Sequence, residues 1–241
     1  MGAAGKTQNM PATALPPSGE SPLTDLKTCD ARGMLEVHRA FRKGFDEAIG
    51  LIDGVSSGDT AHADVVAQQL MLMSTTLHAH HESEDEHLWD MLDQRAPSCA
   101  AHVGRMKAQH AQMVVHLEAL NRALPAWRAS ASATDAAPLR AALQGVSESL
   151  ATHLPDEEAN IVPVIEQVVT KKEIDWFAEH GRNSTPKGQG WYMLGAIISA
   201  QPGGGRDWVK QNLPAPGRLA WRLVGAPRYA KYRAALEGRS S

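Results

Sequence analysis

Cysteine is almost missing from this chain: Cys29 and Cys99 are the only two in 241 residues. Two thiols cannot build a disulfide framework or a thiolate metal site, and their scarcity fits a reducing, cytoplasmic setting. No stretch approaches the roughly 18 uninterrupted apolar residues that a bilayer-crossing helix needs, so no membrane span is expected. Blocks of one charge are missing too. The formal net charge is −3, and over the first 200 residues acids and bases are interspersed, which leaves no electrostatic footprint for nucleic acid. Strand signals are few. The opening MGAAGKTQNMPATALPPSGESP lacks the apolar core of a signal peptide, and residues 1–20 read as a disordered lead. Lys6 stands where a myristoylation signal on Gly2 calls for Ser or Thr.

What the chain does have is helical periodicity. Leu35, His38, Arg42, Phe45, Ile49 and Ile52 step by three and four, as do Leu70, Met73, Leu77, His80, Glu84 and Leu88. Val103, Met106, His110, Met113, Leu117 and Leu120 mark a third helix, predicted to end before Pro125. Residues 129–138 read as a loop. Leu143, Val146, Leu150, His153, Glu157, Ile161 and Val164 mark a fourth helix, with Pro155 and Pro163 predicting a kink near the ligands. Four amphipathic helices with shorter breaks predict an all-α, antiparallel up-and-down four-helix bundle over residues 21–170. Residues 171–241, with Trp176, Trp191, Trp208 and Trp221 among Gly and Pro breaks, predict a C-terminal helical extension that packs on the bundle. Its helical stretches are expected near 172–180, 189–200 and 227–238.

The chemistry lies in a repeat. His80-x-x-x-Glu84 returns 73 residues later as His153-x-x-x-Glu157, and His38 and His110 precede the two copies at an offset of 72. Residues four apart share a helix face, so each pair aims an imidazole and a carboxylate at one spot. A single histidine on an apolar stripe is usually a hydrogen-bonded core residue. Four in register with two glutamates are not, because burying carboxylates without cations is costly. Imidazole and carboxylate donors without thiolate suit iron, manganese or zinc, and a bundle interior favours carboxylate-bridged iron or manganese. The His-Glu-x-x-His zinc protease motif is lacking.

This pattern, set in HHESEDEHLWDML and HLPDEEANIVPVI, resembles the hemerythrin-like family, also called HHE cation-binding domains, over about residues 30–170. The resemblance implies two non-haem iron ions, with His38, His80, His110 and His153 as terminal ligands and Glu84 and Glu157 as bridging carboxylates. Oxygen-carrying members add a histidine four residues from the first on the third helix, where this chain has Met106 and Val114. They also use His-x-x-x-x-Asp on the last helix. Both departures argue against reversible dioxygen carriage. His81, about 100 degrees around the helix from His80, is the candidate for the missing ligand, and His81-x-x-x-Asp85 is a rival pairing. Glu82, Asp85, Glu86, Asp156 and Glu158 read as ordinary exposed acids, with orientation of ligands as the alternative for Asp85 and Glu158. Arg42 either binds an anion or reaches outward along its stem. His62, His78, His87, His102, His116 and His180 are assigned to solvated faces or pocket rims.

Members of the resembled family carry oxygen, process peroxide or nitric oxide, or sense iron and oxygen. The leading expectation is a diiron protein that reacts with a small oxidant, hydrogen peroxide ahead of dioxygen or nitric oxide, with catalase-like disproportionation as its activity. The alternative is a sensor or binding protein without turnover, read out by the basic tail, and oxygen carriage ranks third. A deletion ending at Thr170 that keeps peroxide turnover would favour the enzyme.

Overall fold

The computed structural model describes residues 27–239, and among these the chain is all-helical. The disordered lead expected for residues 1–20 lies outside the described residues. Helix α1 spans Arg32–Asp53. Helix α2, Thr60–Ser83, begins on an Asp59 cap whose side chain accepts from the His62 amide. It runs through a π turn, Glu84–Leu88, into α3, Trp89–Arg95. Helices α4, Ala100–Ser130, and α5, Ala133–Asn160, follow, and α6, Val162–Val168, continues α5 beyond a break at Ile161.

Two boundaries differ from the sequence reading. Helix α4 does not stop before Pro125, and the loop predicted over 129–138 shrinks to Ala131 and Ser132. A proline inside a helix costs about 3 kcal/mol. Burial of Trp127 beyond it returns about 1.5–3 kcal/mol and, with Leu124 buried just before it, carries the helix through. Ser132 then starts α5, its hydroxyl accepting from the Asp135 amide, and Ala136 and Leu139 enter the core. The kink expected from Pro155 and Pro163 falls at Ile161, where α5 gives way to α6 with Pro163 in its first turn, and a further opened turn, the π turn from Glu84, lies on a helix without proline.

The long helices touch in a ring, α1 with α2 and α5, and α4 with α2 and α5. Their apolar residues fall into two clusters. The larger gathers Phe41, Phe45, Leu70, Leu77, Met113, Leu117, Val146 and Leu154, and the smaller Ala31, Leu88, Trp89, Leu92, Met106, Ile161 and Ile165. Between them lies the polar layer, and each helix crosses it once. In α1 the chain passes from Ala31 through His38 to Phe41, and in α2 from Leu77 through Glu84 to Leu88. In α4 it passes from Met106 through His110 to Met113, and in α5 from Leu154 through Glu157 to Ile161. The direction of crossing alternates.

The remaining chain forms α7 (Lys171–Ser184), α8 (Gly190–Ala200), α9 (Arg206–Asn212), α10 (Ala215–Ala220), a π turn (Trp221–Gly225) and α11 (Ala226–Leu236). Helices α9 and α10 and the second π turn fall between the helical stretches expected near 189–200 and 227–238, and Pro216 and Pro227 occupy first helical turns, where a missing amide hydrogen does no harm. Met193 and Leu236 join the larger core cluster, with Tyr192, Ile197 and Tyr232 packed against it.

Candidate metal centre

Each helix brings its polar residues to the same level. His38, Glu84, His110, His153 and Glu157 are almost fully buried and His81 nearly so, while the His80 side chain keeps 15% of its surface in solvent. Donor atoms of His81, Glu84, His110 and His153 lie within 4.8 Å of one another, and those of His38, His80 and Glu157 form a second such group. The two groups share their carboxylates. Glu84 places Oε1 3.3 Å from His80 Nε2 and Oε2 3.6 Å from His110 Nε2. Glu157 Oε2 is 3.4 Å from Nε2 of both His38 and His153.

All seven residues singled out in the sequence therefore come together, His81 included. Its ring stacks on His110 at 4.1 Å and meets His153 edge-on at 4.9 Å. Asp85 does not pair with His81. Its Oδ1 accepts from His110 Nδ1 at 2.8 Å and from Trp89 Nε1 at 2.7 Å. Glu158 accepts from His38 Nδ1 at 3.0 Å and from Arg42 at 2.8 Å, which answers where Arg42 reaches. Sequence reasoning overlooked Gln109, whose Oε1 accepts from His153 Nδ1 at 3.0 Å. A polar side chain beside His110, at the edge of its stripe, was the available signal. With Nδ1 engaged, His38, His110 and His153 each turn Nε2 and its lone pair to the centre.

Electrostatics match this arrangement. Burial, and then the neighbouring His38, push the His80 imidazole down to about 3. Burial likewise lowers His81 well below its ordinary value. Glu84 is raised well above the carboxylate range by burial and by the nearby Glu157 carboxylate. Burial also opposes the charge on Glu157, but the surrounding histidines outweigh it and hold its carboxyl low. Neither oxygen of either glutamate has a hydrogen-bond partner, nor does His81 Nε2. Buried carboxylates in this condition carry a large desolvation penalty, and the neutral imidazole nitrogens around them are the form in which histidine binds metal. The residues fit a metal site.

The model of the hemerythrin HHE cation-binding domain matches residues 30–165. The chain belongs to that family. The hemerythrin domain thus covers α1 through the greater part of α6 and contains every residue of the cluster. Comparison with curated proteins and with solved structures finds no match. Among the remaining histidines, His62 Nε2 bonds the Leu236 carbonyl at 2.9 Å, His102 lies against Arg105, and His87 and His180 flank Trp176. None joins the cluster.

Because Asp85 and Glu158 hold the rings, Asp85→Asn and Glu158→Gln are each expected to lower metal affinity about 10- to 100-fold. Competition against a chromophoric chelator measures this, and unchanged affinity in both would show that ring orientation does not depend on them. The metal-free protein should also weaken in acid. Burial raises the Glu158 carboxyl, but its bonds from His38 and Arg42 outweigh that and hold it at about 2, below its ordinary 4.5. A depressed folded value gives stability that is complete above the ordinary value and lost as pH falls towards 2. Glu158→Gln should flatten that part of a plot of Tm against pH.

Proposed function

We propose that this is a non-haem diiron protein that reacts with a small oxidant, hydrogen peroxide ahead of dioxygen or nitric oxide. The observation that carries the reading is the sharing of Glu84 and Glu157 between two groups of histidines. His81, His110 and His153 would hold one iron, His38 and His80 the other, and the two glutamates would bridge them. The alternating direction in which the helices cross the polar layer supports an antiparallel up-and-down bundle over residues 21–170, with 171–241 as an extension packed on it. Unpaired, buried Cys29 and Cys99 fit a reducing cytoplasmic setting.

When bound, a pair of such ions supplies redox equivalents and Lewis acidity to a small ligand. The protein's own part is orientation and exclusion. Asp85, Glu158 and Gln109 fix three imidazoles in the tautomer that faces inward. The two apolar clusters keep bulk water from the centre on both sides. His80, with its exposed edge, marks the side on which a small molecule reaches the cluster. Neighbouring acids and bases are already committed to one another, so Glu84 and Glu157 are the groups available to hold or release a proton at the site. A sensor without turnover is the second reading, favoured by the contacts of α8 and α11 with α1 and α2, which tie the tail to two ligand-bearing helices.

Metal analysis and a visible spectrum before and after hydrogen peroxide test the reading. About two irons per chain with oxo-bridge absorption, and loss of both in His80→Ala and Glu157→Ala, are expected. Stoichiometric zinc with no spectrum, or two irons retained in both variants, would rule it out. Iron without peroxide turnover would favour the sensor.

A further inference from the structure

The inner side of the C-terminal segment is fully engaged. Tyr229 Oη lies 3.0 Å from Ser199 Oγ, Tyr232 Oη donates to Gln69 at 2.9 Å, Arg233 pairs with Glu47 at 2.5 Å, and Leu236 is buried in the main core. Its outer side has no counterpart. Leu219 is 51% exposed, Leu223 62% and Val224 39%, whereas the other exposed large apolar side chains among the described residues, Met71, Val115 and Trp176, stand on three different helices. Leu219, Leu223 and the exposed Pro227 follow at four-residue spacing, which sets them along one side of α10, the π turn and the start of α11.

Beside this stripe stand Arg218, Arg222, Arg228 and Lys231, all exposed. The ion pairs of the segment are made by Arg233 and Arg239, and the Arg218 guanidinium donates only to the backbone carbonyls of Lys210 and Leu213. These four charges are therefore uncompensated among the described residues. No acid occurs between Asp207 and Glu237. From Arg206 onward the chain carries eight Lys or Arg against two Asp or Glu, while the rest carries sixteen against twenty-five. A chain of net charge −3 thus concentrates +6 at one end.

We infer that this face docks on the surface of an anionic lipid bilayer. Exposed leucines flanked by arginines suit that partner, because the apolar side chains enter below the headgroups while the guanidiniums stay among the phosphates. A nucleic acid has no use for exposed leucines, and the aromatics that could stack on bases, Trp221 and Tyr229, are partly buried. A stable protein interface buries about 800 Å² per partner, well beyond what three exposed apolar side chains offer. The inference is independent of what the metal centre does.

Sedimentation of the full chain with phosphatidylcholine vesicles, with and without phosphatidylglycerol, tests it. Binding is expected only to the anionic vesicles and should fall steeply with salt. A cationic side chain at such a surface contributes about fivefold in partitioning, so Arg222→Gln/Arg228→Gln should bind about 25-fold more weakly. Leu219→Ser/Leu223→Ser should also lose binding, with Tm unchanged because both side chains face solvent. Three results would overturn the inference: no vesicle binding by the wild type, equal binding to neutral vesicles, or anionic binding that survives the leucine pair unchanged. A dimer in light scattering that the leucine pair dissociates, without vesicle binding, would assign the face to a second copy of the chain instead.

Discussion

Replacing both bridging candidates, Glu84→Leu/Glu157→Leu, is expected to raise the Tm of the metal-free protein and at the same time abolish its response to iron. The two effects have one cause. Both glutamates are almost fully buried, and none of their four oxygens finds a hydrogen bond. Substituting buried charges by apolar residues of similar volume is commonly neutral or stabilising by about 1–4 kcal/mol. Iron is expected to stabilise only the wild type. A ligand at about 1,000 times its dissociation constant adds about 4 kcal/mol, and a chain of this size gains about 2–4 °C per kcal/mol, so loading should lift Tm by roughly 8–16 °C. Thermal melts with and without ferrous iron separate the outcomes. A double variant that melts below the metal-free wild type would show that the contacts of the carboxylates with the histidines outweigh their burial without hydrogen bonds.

Deletion of everything after Thr170 is expected to cost the protein its cooperative fold. Met193 and Leu236 are buried in the main core, and Tyr192, Ile197 and Tyr232 pack against it. Full burial of such side chains is worth about 1.5–3 kcal/mol each, so their joint loss approaches the total stability of about 5–15 kcal/mol typical of a domain. The damage extends to polar partners. Buried Gln69 would lose the Tyr232 hydroxyl, Glu47 would lose Arg233, and the Glu36 carbonyl would lose the Gln201 amide. Loss of a sharp melting transition, or amide exchange in α1 and α2 at close to unprotected rates, would bear this out. A truncated chain that melts within a few degrees of the intact one would contradict it. Such a deletion is consequently a poor means of separating turnover from sensing, and substitutions on the outer face of α10 and α11 serve better.

Four helices, their buried stripes and six of the cluster residues were legible in the sequence by itself. The reason is that a histidine or glutamate on an apolar stripe violates the binary pattern at that position, and the violation repeats at offsets of 72 and 73. His81 broke no pattern, since it lies beside the stripe of α2, and only the approach of α4 and α5 set it against His110 and His153. Asp85, Glu158 and Gln109 took their partners from other helices, at separations no local spacing encodes. The passage of α4 through Pro125 was likewise decided in three dimensions, because the burial of Trp127 that offsets the proline exists only once the helices are packed. Periodicity thus determined which residues turn inward. Packing decided which of them meet, which carboxylates are shared, and which side of the tail was left to face outward.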